Sequence, residues 1–382
     1  MATLRFSHID REMTIPTAAG QYVGAAYNPT TRTGSLGSLA SSTLGAEVRD
    51  HISAALGPAA LATLANEDPT RPIIVMVHGF DYDPRLATPP KPSESDNPHD
   101  GLFSYTPISE AVAIKNHATP WPRSLGFDPQ DAAGASGLAV CFGWFSVPFG
   151  ADVLGAYRRA YRLSNPAADA LRIVLDALHA LLPNRRIRMM GHSLGSGPIL
   201  KACLALAEDG DPQGTLAATE RVLLLAGAEY CDVAVSLLRA LDTMGLSAAG
   251  GPTFYNGASW HDNVVGGAQT AMNESPGGSS QMIGYHGLLC LTNLGARRWQ
   301  NIPRERWLDV EIGSQGLSDW LEARGLPRLR RGKYYLGHWD HYVYEQNMAV
   351  WRDVLREGTV DWNLAALRAA GIPEYESKNP WA

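Results

Sequence analysis

The stretch RIRMMGHSLGSGPILKACLALA, residues 186–207, decides how this chain is read. Apolar Ile187, Met189 and Met190 lead into Gly191-His192-Ser193-Leu194-Gly195. Ile199, Cys203 and Leu206 then recur at helical spacing until Gly210 stops the pattern. The pentapeptide Gly-x-Ser-x-Gly is weak evidence alone, but between a strand and a helix it specifies a sharp turn. Such a turn strains the serine backbone and packs the residues two before and two after it closely, so both must be small, as Gly191 and Gly195 are. It also lifts the Ser193 hydroxyl out of the sheet edge onto a helix N-terminus, where the dipole and backbone N–H groups favour a developing oxyanion.

Outward from this corner, strands and helices alternate. Ile73–Val77 is a continuous apolar run, with two prolines before it and a glycine after it, and reads as a strand buried on both faces of a parallel sheet. LAVCFGWFS, RVLLLAGA, PTFYNGAS and RWLDVEIG read as further strands. SNPAADALRIVLDALHALL reads as a helix with Asn165 as N-cap and Pro166 in its first turn. SLLRALDTMG and YEQNMAVWRDVLREG read as two more helices, and EVRDHISAALGPAALATLA as one or two. The fold class expected is α/β, a mostly parallel central sheet flanked by helices and interrupted by two long insertions. The expected organisation is an extension over 1–70 packed on the core, a main domain over 71–365 with insertions at about 81–137 and 266–303, and a tail over 366–382.

Net charge is −6 and there is no basic block, which argues against a nucleic-acid partner. No run reaches the length of a membrane span, and the first residues lack the apolar core of a secretory leader. The expected location is the cytoplasm unless a leader has been removed. Cys141, Cys203, Cys231 and Cys290 lie far apart among apolar neighbours and read as buried free thiols rather than zinc ligands.

A serine hydroxyl is a weak nucleophile at neutral pH and needs a base, which in turn needs an orienting acid. With the chain order serine, acid, histidine, the candidates all follow Ser193. Of His261, His286, His338 and His341, the last is favoured because it immediately precedes the final helix that anchors its loop; His338 is the runner-up. Asp262 lies just past a strand end and is the favoured acid, with Asp232 as alternative and turn-capping as the structural role to weigh against it. Two backbone donors of an oxyanion hole are expected from the N–H groups of Leu194 and Phe80, with Gly79 allowing close approach and His78 organising the loop. Tyr82, Trp144, Phe145 and His192 are candidate substrate-binding residues, Trp144 being equally readable as core.

The segments IIVMVHGF, VCFGWFS, MMGHSLGSG, TFYNGASWHDNVV and HWDHYVY, in that order, resemble the α/β-hydrolase superfamily over roughly residues 71–358. The likeness is nearest to a bacterial serine-hydrolase group in which a tryptophan-containing strand end runs on into a long helix, here residues 142–178. The resemblance implies esterase-like or lipase-like chemistry through a Ser193–Asp262–His341 triad, with no metal or organic cofactor and a small-molecule or lipid-like ester as substrate. A thioesterase or amidase, an interfacial lipase or polyester hydrolase, and a catalytically silent binding scaffold remain the alternatives.

Overall fold

The computed structural model describes residues 3–375 except 10–11, 17–21, 27–42, 67, 69–70, 85–95, 132–133, 148–152, 212, 247–249, 273–280, 289–301, 333–336 and 357. Among the described residues nine strands form one sheet: β1 (Thr3–Ile9), β2 (Glu12–Pro16), β3 (Tyr22–Ala26), β4 (Ile73–Val77), β5 (Leu138–Trp144), β6 (Ile187–His192), β7 (Thr219–Leu225), β8 (Thr253–Ala258) and β9 (Trp307–Glu311). Their order is β3-β2-β1-β5-β4-β6-β7-β8-β9. From β1 to β9 all seven neighbours run parallel, while β2 and β3 close one edge antiparallel.

β4 is central, with Ile73 opposite both Leu138 of β5 and Ile187 of β6. Its five residues are apolar because both faces are covered. Ile73, Val75 and Val77 join the core on one side; Ile74 and Met76 join the core on the other. The first face carries α1 (Thr43–Ala65, interrupted at Gly57), α2 (Val153–Leu181), α3 (Ser196–Glu208) and α4 (Cys231–Thr243), which pack pairwise. Beyond β8 come α5 (Asn263–Met272) and, after β9, α6 (Gln315–Glu322). On the second face α7 (Glu345–Leu355) buries Met348, Trp351 and Val354.

Three sequence expectations change. The N-terminal segment is more than an extension packed on the core: β1 continues the parallel sheet, with Thr3 opposite Ala139. Asn165 does not cap a helix, because α2 begins at Val153 and runs through Pro166. The apolar stripe already starts at Ala156, Tyr157 and Ala160, and burial of that face outweighs the backbone bond that the proline removes. The tail is partly core: a helix over Leu364–Ala369 buries Leu364 and Leu367, followed by Ile372 and Tyr375.

Parts of both insertions, including 85–95, 273–280 and 289–301, lie outside the described residues. What is described of the first one forms a buried aromatic wedge, with Phe103 edge-on to Trp121 and Trp121 edge-on to Tyr342. It supports the loop after residue 337, since the Tyr342 hydroxyl donates to the His117 carbonyl and Trp339 stacks on His117 at 3.8 Å. Cys141, Cys203 and Cys231 are buried free thiols; Cys290 lies outside the described residues. Among the described residues no helix is long and apolar enough to cross a membrane.

Candidate active site

β6 ends at His192, and the next residue leaves the ordinary backbone regions. Ser193 has φ 54°, the left-handed conformation that side chains with a Cβ rarely adopt. A single 3-10 turn, Ser193–Gly195, then delivers the chain into α3. Gly195 is forced by crowding: a Cβ there would lie 2.4 Å from the carbonyl oxygens of both Val77 and His78. The turn is thus wedged against the end of β4, and the strain at Ser193 is held by surrounding packing.

The loop leaving β4 is built to stay still. The His78 Nε2 accepts from the Trp144 backbone N–H at 2.8 Å, so its proton sits on Nδ1, which faces the Gly79 carbonyl at 2.9 Å. The Trp144 indole N–H donates to the His78 carbonyl at 2.8 Å, and its ring stacks on His78. Ser146 donates to the Gly79 carbonyl and accepts from the Tyr82 N–H. These bonds fix Gly79 against the serine turn, since a Cβ on Gly79 would fall 2.8 Å from the Ser193 Cβ. Among the described residues no backbone carbonyl accepts from the N–H of Phe80 or of Leu194. The N–H of Leu194, next in the chain to Ser193, and the N–H of Phe80, next to Gly79, are therefore candidate donors without a backbone partner.

Asp262 is fully buried at the start of α5. Its Oδ1 accepts from the N–H groups of Val264 and Val265, at 3.1 and 3.0 Å, which is the capping role. Its Oδ2 accepts from His338 Nδ1 at 2.8 Å. The carboxylate thus caps a helix and orients an imidazole at once, and the helix N-terminus favours its negative charge. Asp232 lies instead in the first turn of α4.

The histidine expectation is corrected. The partner of Asp262 is His338, and His341 is not part of the pair. Gly337, at φ 44°, turns the chain over the acid loop, where a Cβ would meet the His261 carbonyl at 3.0 Å. His338 follows directly and faces Asp262. His341 lies three residues on, inside the helical turn Asp340–Val343, and points into the sheet beside Gly257. Both of its ring nitrogens are buried without a hydrogen-bond partner. Asp340 accepts from the Gly332 N–H, a turn role.

His192 links the two halves of the site. Its Nε2 donates to the His338 carbonyl at 3.0 Å, and the two rings lie 4.6 Å apart. It is buried and positions the His338 loop, so it does not line a substrate surface. Trp144 is likewise wholly buried and is a core residue that pins the loop. Phe145 is buried and Tyr82 half-buried, packed on His78 at 4.9 Å. His286 packs against Trp260 and Tyr285, and His261 is exposed.

Burial holds several histidines neutral. It pulls His78 down to about 3, and it pulls His99, His192 and His341 well below the usual imidazole value, with His338 adding to the effect at His192 and His341. Each group takes its proton in the unfolded chain near pH 6.5 but resists it in the fold. Their stabilisation is therefore complete above that pH and is lost as pH falls, for His78 down to about 3. The urea midpoint should fall steadily from pH 7 to pH 5 as the unfolding free energy drops, with a limiting slope of about 1.4 kcal/mol per pH unit for each such histidine. A midpoint unchanged over that range would contradict this account.

No protein-family model, curated protein or solved structure matches this chain. The residues themselves therefore carry the functional reading. Sequence reasoning passed over a second buried group beneath the serine turn. Glu229, just beyond β7, accepts from the Tyr161 hydroxyl at 2.6 Å and lies 3.2 Å from Lys201 Nζ. Lys201 also donates to Ser164. This pair ties α2 to α3 at the level of Gly197. The signal available was two charged residues after the turn, Lys201 in the helix and Glu229 past the next strand, in otherwise apolar surroundings.

Proposed function

We propose that the protein is an α/β-hydrolase that cleaves carboxylic esters, with Ser193 as nucleophile, His338 as base and Asp262 as orienting acid. The observation that carries this reading is the buried Asp262–His338 hydrogen bond, held by His192 next to a serine at φ 54°. Two further features support it: a parallel sheet whose central strands end at the site, and two N–H groups beside Ser193 that serve no backbone carbonyl.

In this mechanism Ser193 Oγ attacks the ester carbonyl carbon and its proton passes to His338 Nε2. That nitrogen is available because Nδ1 is committed to Asp262. The carbonyl π electrons move onto oxygen, which accepts hydrogen bonds from the Phe80 and Leu194 N–H groups. Collapse breaks the bond to the alcohol oxygen, which takes the proton from His338. A water molecule then repeats the sequence on the acyl-enzyme, giving the acid and restoring Ser193. Asp262 holds the ring and stabilises the imidazolium. None of these steps calls for a cofactor.

The test is a panel of p-nitrophenyl esters of increasing acyl length, with a thioester and an anilide of matched acyl group. Saturable ester turnover that exceeds anilide turnover supports the reading. Turnover confined to the thioester would reassign the substrate class on the same residues. No turnover of any of them by the folded protein would overturn the proposal.

A further inference from the structure

The mechanism above leaves one buried polar group beside the nucleophile unused. Tyr157, on α2, is 7 % exposed, and its ring packs on Phe80 with centroids 5.1 Å apart. Its hydroxyl is fully enclosed, completes no regular hydrogen bond, and lies beside the Ser193 hydroxyl. Other enclosed tyrosines of this fold are satisfied. Tyr161, one turn further along α2, donates to Glu229; Tyr342 donates to the His117 carbonyl; Tyr375 donates to the Tyr285 carbonyl. A buried phenol without an acceptor is costly unless something that arrives later accepts from it.

We propose that Tyr157 is a third oxyanion donor, its phenol O–H directed at the substrate carbonyl oxygen as that oxygen gains charge. This rests on the hydrolase reading. The acceptor is missing in the resting site because it belongs to the substrate, and contact with Phe80 sets the ring beside a residue whose N–H serves the same oxygen. Burial, then the Asp262 carboxylate, push the phenol above its usual range. The hydroxyl therefore keeps its proton and stays a donor throughout the cycle. The Tyr161–Glu229–Lys201 cluster one turn away fixes α2 and limits drift of the ring. No covalent step is involved: the bond strengthens as charge develops and relaxes when the intermediate collapses.

The experiment compares wild type with Tyr157→Phe, which keeps the ring against Phe80. The readouts are kcat and KM on p-nitrophenyl butyrate, thermal midpoint, and affinity for an alkyl trifluoromethyl ketone, which adds to an active serine to give a stable oxyanion. We expect kcat to fall by about 10²-fold with KM within about threefold, the midpoint held, and ketone affinity reduced in parallel with kcat. A variant with wild-type kcat and ketone affinity overturns the role of Tyr157 while leaving the hydrolase reading intact. A fall in kcat without loss of ketone affinity, or one that only follows a lowered midpoint, marks a structural residue and also overturns it. Wild type that neither turns over the ester nor binds the ketone overturns the hydrolase reading, and the role of Tyr157 with it.

Discussion

Ser193→Ala is expected to lower kcat for p-nitrophenyl esters by about 10⁵-fold or more, because in the proposed mechanism attack, proton transfer and acyl-enzyme formation all begin at one oxygen. The fold should survive. Alanine has the same Cβ as serine and inherits a backbone already held at φ 54° by the packing of Gly195 against β4. Ser193→Gly should be equally inactive yet more stable than Ser193→Ala by about 1 kcal/mol, since glycine enters the left-handed region without strain. Urea denaturation of the two variants reads the difference. A glycine variant less stable than the alanine variant would mean that the backbone strain assigned to this corner is absent.

The second large effect separates two histidines three residues apart. His338→Ala should reduce kcat by about 10⁴-fold or more, and Asp262→Asn by a similar factor, because without the acid the imidazole is no longer held with Nε2 free. His341→Leu should keep activity within about tenfold of wild type. Its ring accepts and donates nothing, so replacing it with an apolar side chain removes two unsatisfied buried atoms rather than a contact. Steady-state kinetics on one ester decides between them. Loss of activity in His341→Leu with retention in His338→Ala would invert the assignment.

Much of this was legible from one stretch. Residues 186–207 gave the strand, the turn, the helix and the serine, because glycine spacing and hydrophobic period act locally. The buried strands β4 to β9 were legible for the same reason: each is a short, largely apolar and largely buried segment. β1 was not, since its residues alternate and its partner β5 lies more than 100 positions away, with Thr3 opposite Ala139. The choice of histidine failed on a backbone detail. His338 and His341 have equal chemistry in the sequence, and only the conformation of Gly337 and the helical turn after it decides which ring meets Asp262. Trp144 and His192 looked like pocket residues because aromatic rings near a serine suit either role. Their hydrogen bonds to His78 and His338 make them supports. Asp262 shows that capping and orienting need not compete, since one carboxylate has two oxygens.

The measurement that tests the central claim most directly is labelling of the folded wild-type protein with a fluorophosphonate, followed by digestion and mass mapping of the modified peptide. Phosphonylation on Ser193 alone, absent in Ser193→Ala and strongly slowed in His338→Ala, is the predicted result. A folded wild type that takes up no label, or one labelled on another residue at a rate indifferent to His338, would contradict it.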